Sequence, residues 1–172
     1  MKYGVAAFPS KEMQDIANSY RKRYDPRYAK ITPHITLKDA FRADDARIKE
    51  IAEEIERIAK RHKPFKLHVT RVSTFSPVTN TLYYKVEPDE ELMSLHEDLH
   101  SDFFGGPPQY QYVPHITIAQ ELSDSEHSDI YGQLKMAGID HTETIDRIHL
   151  LYQLEDGSWQ VYETYRLTGE QS

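Results

Sequence analysis

The chain has 172 residues and no cysteine, which suits one compact unit and excludes disulfides, thiol catalysis and thiolate metal sites. Its 38% hydrophobic and 28% charged residues do not suit a disordered chain, and no apolar run approaches the roughly 20 residues of a membrane helix. A net charge of −7 argues against binding long nucleic acid through a basic face, but allows a small anion in a locally basic cleft.

In chain order, Tyr3 to Phe8 predicts a strand ended by Pro9-Ser10, with Ser10 as a helix N-cap. Met13, Ile16, Ala17, Tyr20 and Tyr24 then recur at helical spacing. A loop from Asp25 to Thr32 leads to a short strand at His34–Lys38. Asp44 opens an amphipathic helix with Ile48, Ile51, Ile55 and Ile58 on one face, and Pro64 stops it. Phe65–Phe75 and Thr81–Val86 predict a hairpin around the turn-rich Ser76–Asn80.

The second half repeats this order. Pro88 begins a helix with Leu92, Leu95, Leu99 and Phe103 on one side, closed by Gly105-Gly106-Pro107-Pro108. His115–Ala119 is a second short strand. Ser123 and Glu126 form a capping box before a helix with Ile130, Tyr131 and Leu134. Strands at about Thr142–Tyr152 and Trp159–Leu167 follow, joined by a turn at Glu155–Ser158.

Tyr3 and Tyr83 lie 80 residues apart, His34 and His115 lie 81 apart, and the helix starts Asp44 and Asp124 lie 80 apart. The expected architecture is α+β, one bilobal unit over residues 1–172. Its repeat halves, about 1–86 and 80–170, predict two pseudo-twofold-related antiparallel lobes, either successive or interleaved in the chain, with helices outside and a ligand groove between.

The offset coincides with a repeated tetrapeptide, Pro33-His34-Ile35-Thr36 and Pro114-His115-Ile116-Thr117. Strand alternation turns His34 and Thr36 to one face and Ile35 and Leu37 to the other, and likewise in the second copy. Across a pseudo-twofold axis, two imidazoles and two hydroxyls then surround one small volume. Imidazole titrates near neutrality, so one ring can accept a proton while the other donates one, as acid–base chemistry at phosphorus requires. The hydroxyls can donate to phosphate oxygens, and no metal or cofactor is called for. Continued alternation puts Lys38 on the face of His34, with a solvated strand-end lysine as the simpler reading.

Other histidines are plainer. His68-Val69-Thr70 matches His-x-Thr but lacks the proline and a partner in the other half. His96-Glu97-Asp98-Leu99-His100 matches a zinc-protease pattern, but in a charged helix without an evident third ligand. His62 ends a basic-tipped helix, and His127 lies early in a capped one. His141 and His149 fall on one predicted strand, eight residues apart and so on one face.

Two His-x-Thr motifs, one per half, resemble the 2H phosphoesterase superfamily, which includes RNA 2′,3′-cyclic phosphodiesterases and 2′-5′ RNA ligase-like proteins. Met1–Ala6, Pro33–Leu37 and Gly132–Met136 are closer still to its YjcG-like branch. The resemblance implies His34 as proton donor, His115 as proton acceptor, and Thr36 and Thr117 as phosphate-binding residues. It implies metal-independent hydrolysis of a phosphodiester, a 2′,3′-cyclic phosphate on a nucleotide or RNA end being the expected substrate. The rival reading is a cleft that binds such a ligand without turning it over. A cysteine-free chain without a signal-like start is expected in the cytoplasm.

Overall fold

A computed structural model describes residues 1–170. Strand β1 (Lys2–Ala7) alternates, with Tyr3, Val5 and Ala7 in the core and Lys2, Gly4 and Ala6 facing a cavity. Helix α1 (Lys11–Tyr24) is capped by Ser10, whose Oγ accepts from the Met13 amide at 3.3 Å. Strand β2 (Ile35–Arg42) follows, then α2 (Asp45–Arg61), capped by Asp44 and buried through Ile48, Ile51, Ile55 and Ile58. Strands β3 (Phe65–Thr74) and β4 (Leu82–Val86) form the expected hairpin.

Helix α3 (Glu90–Asp98) is shorter than its apolar spacing predicts: Leu99 caps it, and Phe103 belongs to a separate 3-10 turn, Asp102–Phe104. Strand β5 (His115–Ala119) and α4 (Asp124–Leu134) come next, the latter with the Ser123/Glu126 capping box formed in both directions.

One predicted strand is in fact two. The stretch Thr142–Tyr152 divides into β6 (His141–Ile145) and β7 (Arg147–Gln153), with Asp146 as the crossing between sheets, before β8 (Trp159–Arg166). One sheet has the order β2-β1-β7-β8 and the other β5-β4-β3-β6, with every neighbouring pair antiparallel. Matching the orders pairs β2 with β5 and β1 with β4, as the sequence offset requires.

The two sheets are interlocked. α1 follows a strand of one sheet and packs on β5 of the other, while α3 leaves β4 and packs on β3 and β2. The Ser10 amide at the start of α1 donates to both oxygens of Glu143 on β6, at 2.9 and 3.0 Å. A continuous apolar core joins these elements, so β2 and β5, which carry the two tetrapeptides, are fixed relative to each other.

Candidate active site

The segment before His34 is organised from beneath by Arg21, only 2% exposed. Its guanidinium donates to Asn18 Oδ1 at 2.7 Å and Ile31 O at 2.6 Å, and meets Asp25 Oδ2 at 3.3 Å. Asp25 Oδ1 accepts from the Arg27 amide and from Gln120 Nε2, both at 2.9 Å. Gln120 directly follows β5, so one buried ion pair supports both tetrapeptides. Nothing in the local sequence pattern beyond the i,i+4 spacing of Arg21 and Asp25 announces it.

His34 stands immediately before β2, and His115 is the first residue of β5. Both rings are held in the same way. His34 Nδ1 lies 2.8 Å from the Thr32 carbonyl, and His115 Nδ1 lies 2.6 Å from the Val113 carbonyl, each two residues back. A carbonyl can only accept, so each Nδ1 carries the proton and each neutral ring leaves its Nε2 lone pair free. The prolines between, Pro33 and Pro114, are buried.

Burial pushes His34 down to about 4, the nearby charges of Arg21 and His115 adding to the effect. Burial likewise lowers His115. In the free cleft both rings are therefore neutral at pH 7. The His115 ring is flanked edge-on by Phe75 and Tyr83, with centroids 5.0 and 5.1 Å away.

Thr36 pairs with Ala6 on β1 and Thr117 with Tyr83 on β4, each with the inner strand next to its own. His34, Thr36 and Thr117 line a cavity of about 710 Å³. His115 is not among its lining residues; it stands two residues from Thr117 on the same strand. The cavity continues past Arg27 and Lys30 to Trp159, whose indole lies 3.7 Å from where a Cβ on Gly4 would sit. Gly4 leaves that ring open to the cavity. Trp159 is the chain's only tryptophan. A lone aromatic on a predicted strand carries no local mark of a ligand wall, so only the tertiary structure places Trp159 here.

Lys38 is not the solvated strand-end lysine of the simpler reading, and it lines the same cavity as His34 and Thr36. The β1–β2 register shifts between Ala6/Thr36 and Val5/Lys38, so β2 gains a residue and Lys38 falls opposite core-facing Val5. It is 9% exposed, not solvated, and its Nζ lies 5.8 and 5.2 Å from the ring centroids of Phe41 and Phe104.

Tyr112 was also unanticipated. It sits in the loop entering the second tetrapeptide, and its hydroxyl donates to the Thr36 carbonyl at 2.7 Å. His96 stacks flat on its ring at 3.7 Å, and His100 stacks in turn on His96 at 4.1 Å. Among the described residues no group of three or more His, Cys, Asp or Glu side chains is arranged to hold a metal, so the zinc-protease pattern lacks its third ligand.

The remaining histidines disperse. His68 pairs with Asp140 at 3.0 Å, and His62, buried at the end of α2, with Asp98 at 2.6 Å. His127 meets Thr74 Oγ1 at 2.7 Å. His141 and His149 do not share a face: they lie on different sheets, because the chain crosses at Asp146. His149 lies across β1 from Thr36, both pairing with Ala6, and is bonded to Thr164 Oγ1 at 2.9 Å. No helix among the described residues is long and apolar enough to cross a membrane.

Comparison with known proteins identifies the family and the fold. Residues 8–157 match the model of the 2′-5′ RNA ligase superfamily. The chain is 56% identical over 170 residues to a Bacillus pumilus protein named "Putative phosphoesterase", covering 99% of each. It is 53% identical over 172 residues to a similarly named Geobacillus kaustophilus protein, covering 100% of this chain and 99% of that one. Among solved structures, E. coli LigT complexed with 3′-AMP superposes with a TM-score of 0.73 at 16% identity, covering 97% and 98% of the two chains. A Thermus thermophilus protein gives 0.72 at 17%, covering 99% and 100%. At such identities these two show the fold. With the family model spanning most of its length and close relatives matching it end to end, the chain belongs to the 2′-5′ RNA ligase superfamily of 2H phosphoesterases.

Proposed function

We propose that the cleft hydrolyses a 2′,3′-cyclic phosphate on a nucleotide or RNA end by two-histidine general acid–base catalysis. The observation that carries this reading is the matched anchoring of His34 and His115, each Nδ1 bound to the carbonyl two residues back, beside Thr36 and Thr117. That arrangement supplies two Nε2 atoms free to move protons and two hydroxyls to receive phosphate oxygens.

In this scheme His115 Nε2 takes a proton from water as its oxygen attacks phosphorus. The bond from phosphorus to one ribose oxygen breaks. His34 Nε2–H gives its proton to that oxygen, leaving a phosphomonoester and a ribose hydroxyl. Thr36 and Thr117 donate to the non-bridging oxygens. Both rings are neutral in the free cleft, so the substrate itself charges the donor: an anion within about 4–6 Å favours imidazolium. Arg27 and Lys30 lie along the cavity for further phosphates, and Trp159 offers a surface for a base. The E. coli LigT structure with 3′-AMP supports a nucleotide as the ligand class.

The test is turnover of a panel of cyclic nucleotides and RNA ends in EDTA, with wild type, His34→Ala and His115→Ala. Each substitution is expected to lower turnover by about 10²–10⁴. Bound nucleotide without turnover on any substrate would assign the cleft to binding alone, and activity lost to EDTA would overturn a metal-free route.

A further inference from the structure

The shifted register of β2 has left a cation without an ion-pair partner, the charge of neighbouring Asp39 acting on it only at a distance. Lys38 is nine-tenths buried, yet among the described residues no carboxylate lies within 4 Å of its ammonium and no side chain or carbonyl accepts from it. Its contacts are the rings of Phe41 and Phe104. Rings attract a cation weakly and do not replace the hydrogen bonds that an ammonium makes in water. His96 and His100 stand near, but burial lowers both, so they are neutral at pH 7 and bring no negative charge.

The ammonium borders a second cavity of about 340 Å³, near the lower end of the sizes that hold small molecules. Two more cations line it. Arg42 has no hydrogen-bond or carboxylate partner among the described residues and is exposed. Arg47 stacks on Phe103 with 4.3 Å from Cζ to the ring centroid, one nitrogen donating to the Phe103 carbonyl at 2.7 Å and another to Glu50 at 2.9 Å. Asp102 is the only acid among the lining residues. The balance is three cations to one carboxylate, in a chain whose net charge is −7. Phe41, Phe103 and Phe104 complete the wall.

We infer that this second cavity binds a phosphate group, free or carried on a nucleotide, with Lys38 as the buried contact and Arg42 as the entrance contact. Lys38 also lines the His34/Thr36/Thr117 cavity, so the two cavities meet at this residue, while Arg42, Arg47, Phe103 and Phe104 line the second alone; the inference does not depend on hydrolysis in the first. A phosphate supplies a full countercharge and acceptors where, among the described residues, the Lys38 ammonium has only rings and solvent around it, and the aromatic walls suit a base attached to it.

Amide NMR shifts of the full chain test this, because they report the two cavities separately. The probes are inorganic phosphate, 5′-AMP and adenosine. Phosphate and AMP are expected to shift Arg42, Phe104 and Gly105. Lys38→Met keeps the aliphatic stem and removes the charge, and is expected to weaken these shifts about tenfold or more. Arg42→Gln, at an exposed position that borders only the second cavity, is expected to weaken them too while the Thr36 and Thr117 responses persist, and serves if the buried variant fails to fold. Tighter AMP than phosphate binding identifies a nucleotide as the ligand, and equal binding identifies free phosphate. No shift at Arg42, Phe104 and Gly105, shifts unchanged in both variants, or adenosine binding as well as AMP would overturn the assignment.

Discussion

The Tyr112 hydroxyl donates to the Thr36 carbonyl across 2.7 Å, tying the loop that enters one His-Ile-Thr segment to the strand that carries the other. Burial raises the phenol's pKa, so it stays a donor through the alkaline range. Tyr112→Phe is expected to lower stability by about 1 kcal/mol in urea unfolding. If the strap sets the spacing of the two hydroxyls, kcat is expected to fall about tenfold, since small misplacements of reacting groups are costly. Unchanged kcat at lowered stability would make the bond purely structural.

The lowered histidines give pH dependence a definite sign. His34 moves from 6.5 when unfolded to about 4 when folded, so between these values the unfolded chain binds more protons. Stability is therefore expected to fall as pH drops through that window, and His34→Gln to flatten the slope. Chemical denaturation at a series of pH values measures this. For activity, the kcat/KM bell is expected to centre below about 6.5, with the kcat bell at higher pH because bound phosphate favours imidazolium.

The donor role assigned to His34 is separable from the acceptor role of His115 by leaving group. A p-nitrophenyl phosphodiester needs little protonation of its departing oxygen. His34→Ala is expected to retain far more activity on it than on a cyclic nucleotide, whereas His115→Ala is expected to lose about 10²–10⁴ on both. The opposite pattern would exchange the two roles.

Trp159, the one indole, provides a direct readout of the main cavity. Nucleotide binding is expected to quench or shift its fluorescence, and Trp159→Ala to weaken binding by about 1–3 kcal/mol if the base stacks on it. A fluorescence spectrum indifferent to bound nucleotide would remove Trp159 from the site.

The Arg21–Asp25 pair is fully enclosed, each side chain 2% exposed. Asp25→Ala leaves a buried guanidinium without its charge partner and is expected to cost about 3–5 kcal/mol. It should also loosen the His34 loop and the end of β5 together, visible as faster amide exchange at Arg27 and Gln120.

The caps, the hairpin and the two tetrapeptides were legible because each is a local pattern with a local cause: Ser10, Asp44 and Ser123 cap the helices that their spacing announced. The crossing at Asp146 left a trace that was missed. Ile145 and Ile148 are both buried, and a spacing of three is incompatible with one alternating strand. The bulges in β2 left none. Two register shifts occur between Ala6/Thr36 and Tyr3/Phe41, so Leu37, in the core, and Phe41, packed against it, keep an even spacing that conceals them. Tyr112, Trp159 and the Arg21–Asp25 pair act through partners that only tertiary structure supplies.

The strand order also governs how the protein comes into being on the ribosome. Sheet β5-β4-β3-β6 has all its strands by Ile145, whereas β1 meets its neighbour β7 only when His149 follows Ala6 at a distance of 143 residues. During synthesis the sheet carrying Thr117 can close first, and the one carrying Thr36 waits as an open β1–β2 ribbon with an unpaired edge. Half of the cleft is thus made early and half at the last moment, and a nascent chain acquires both tetrapeptides long before it can hold them face to face.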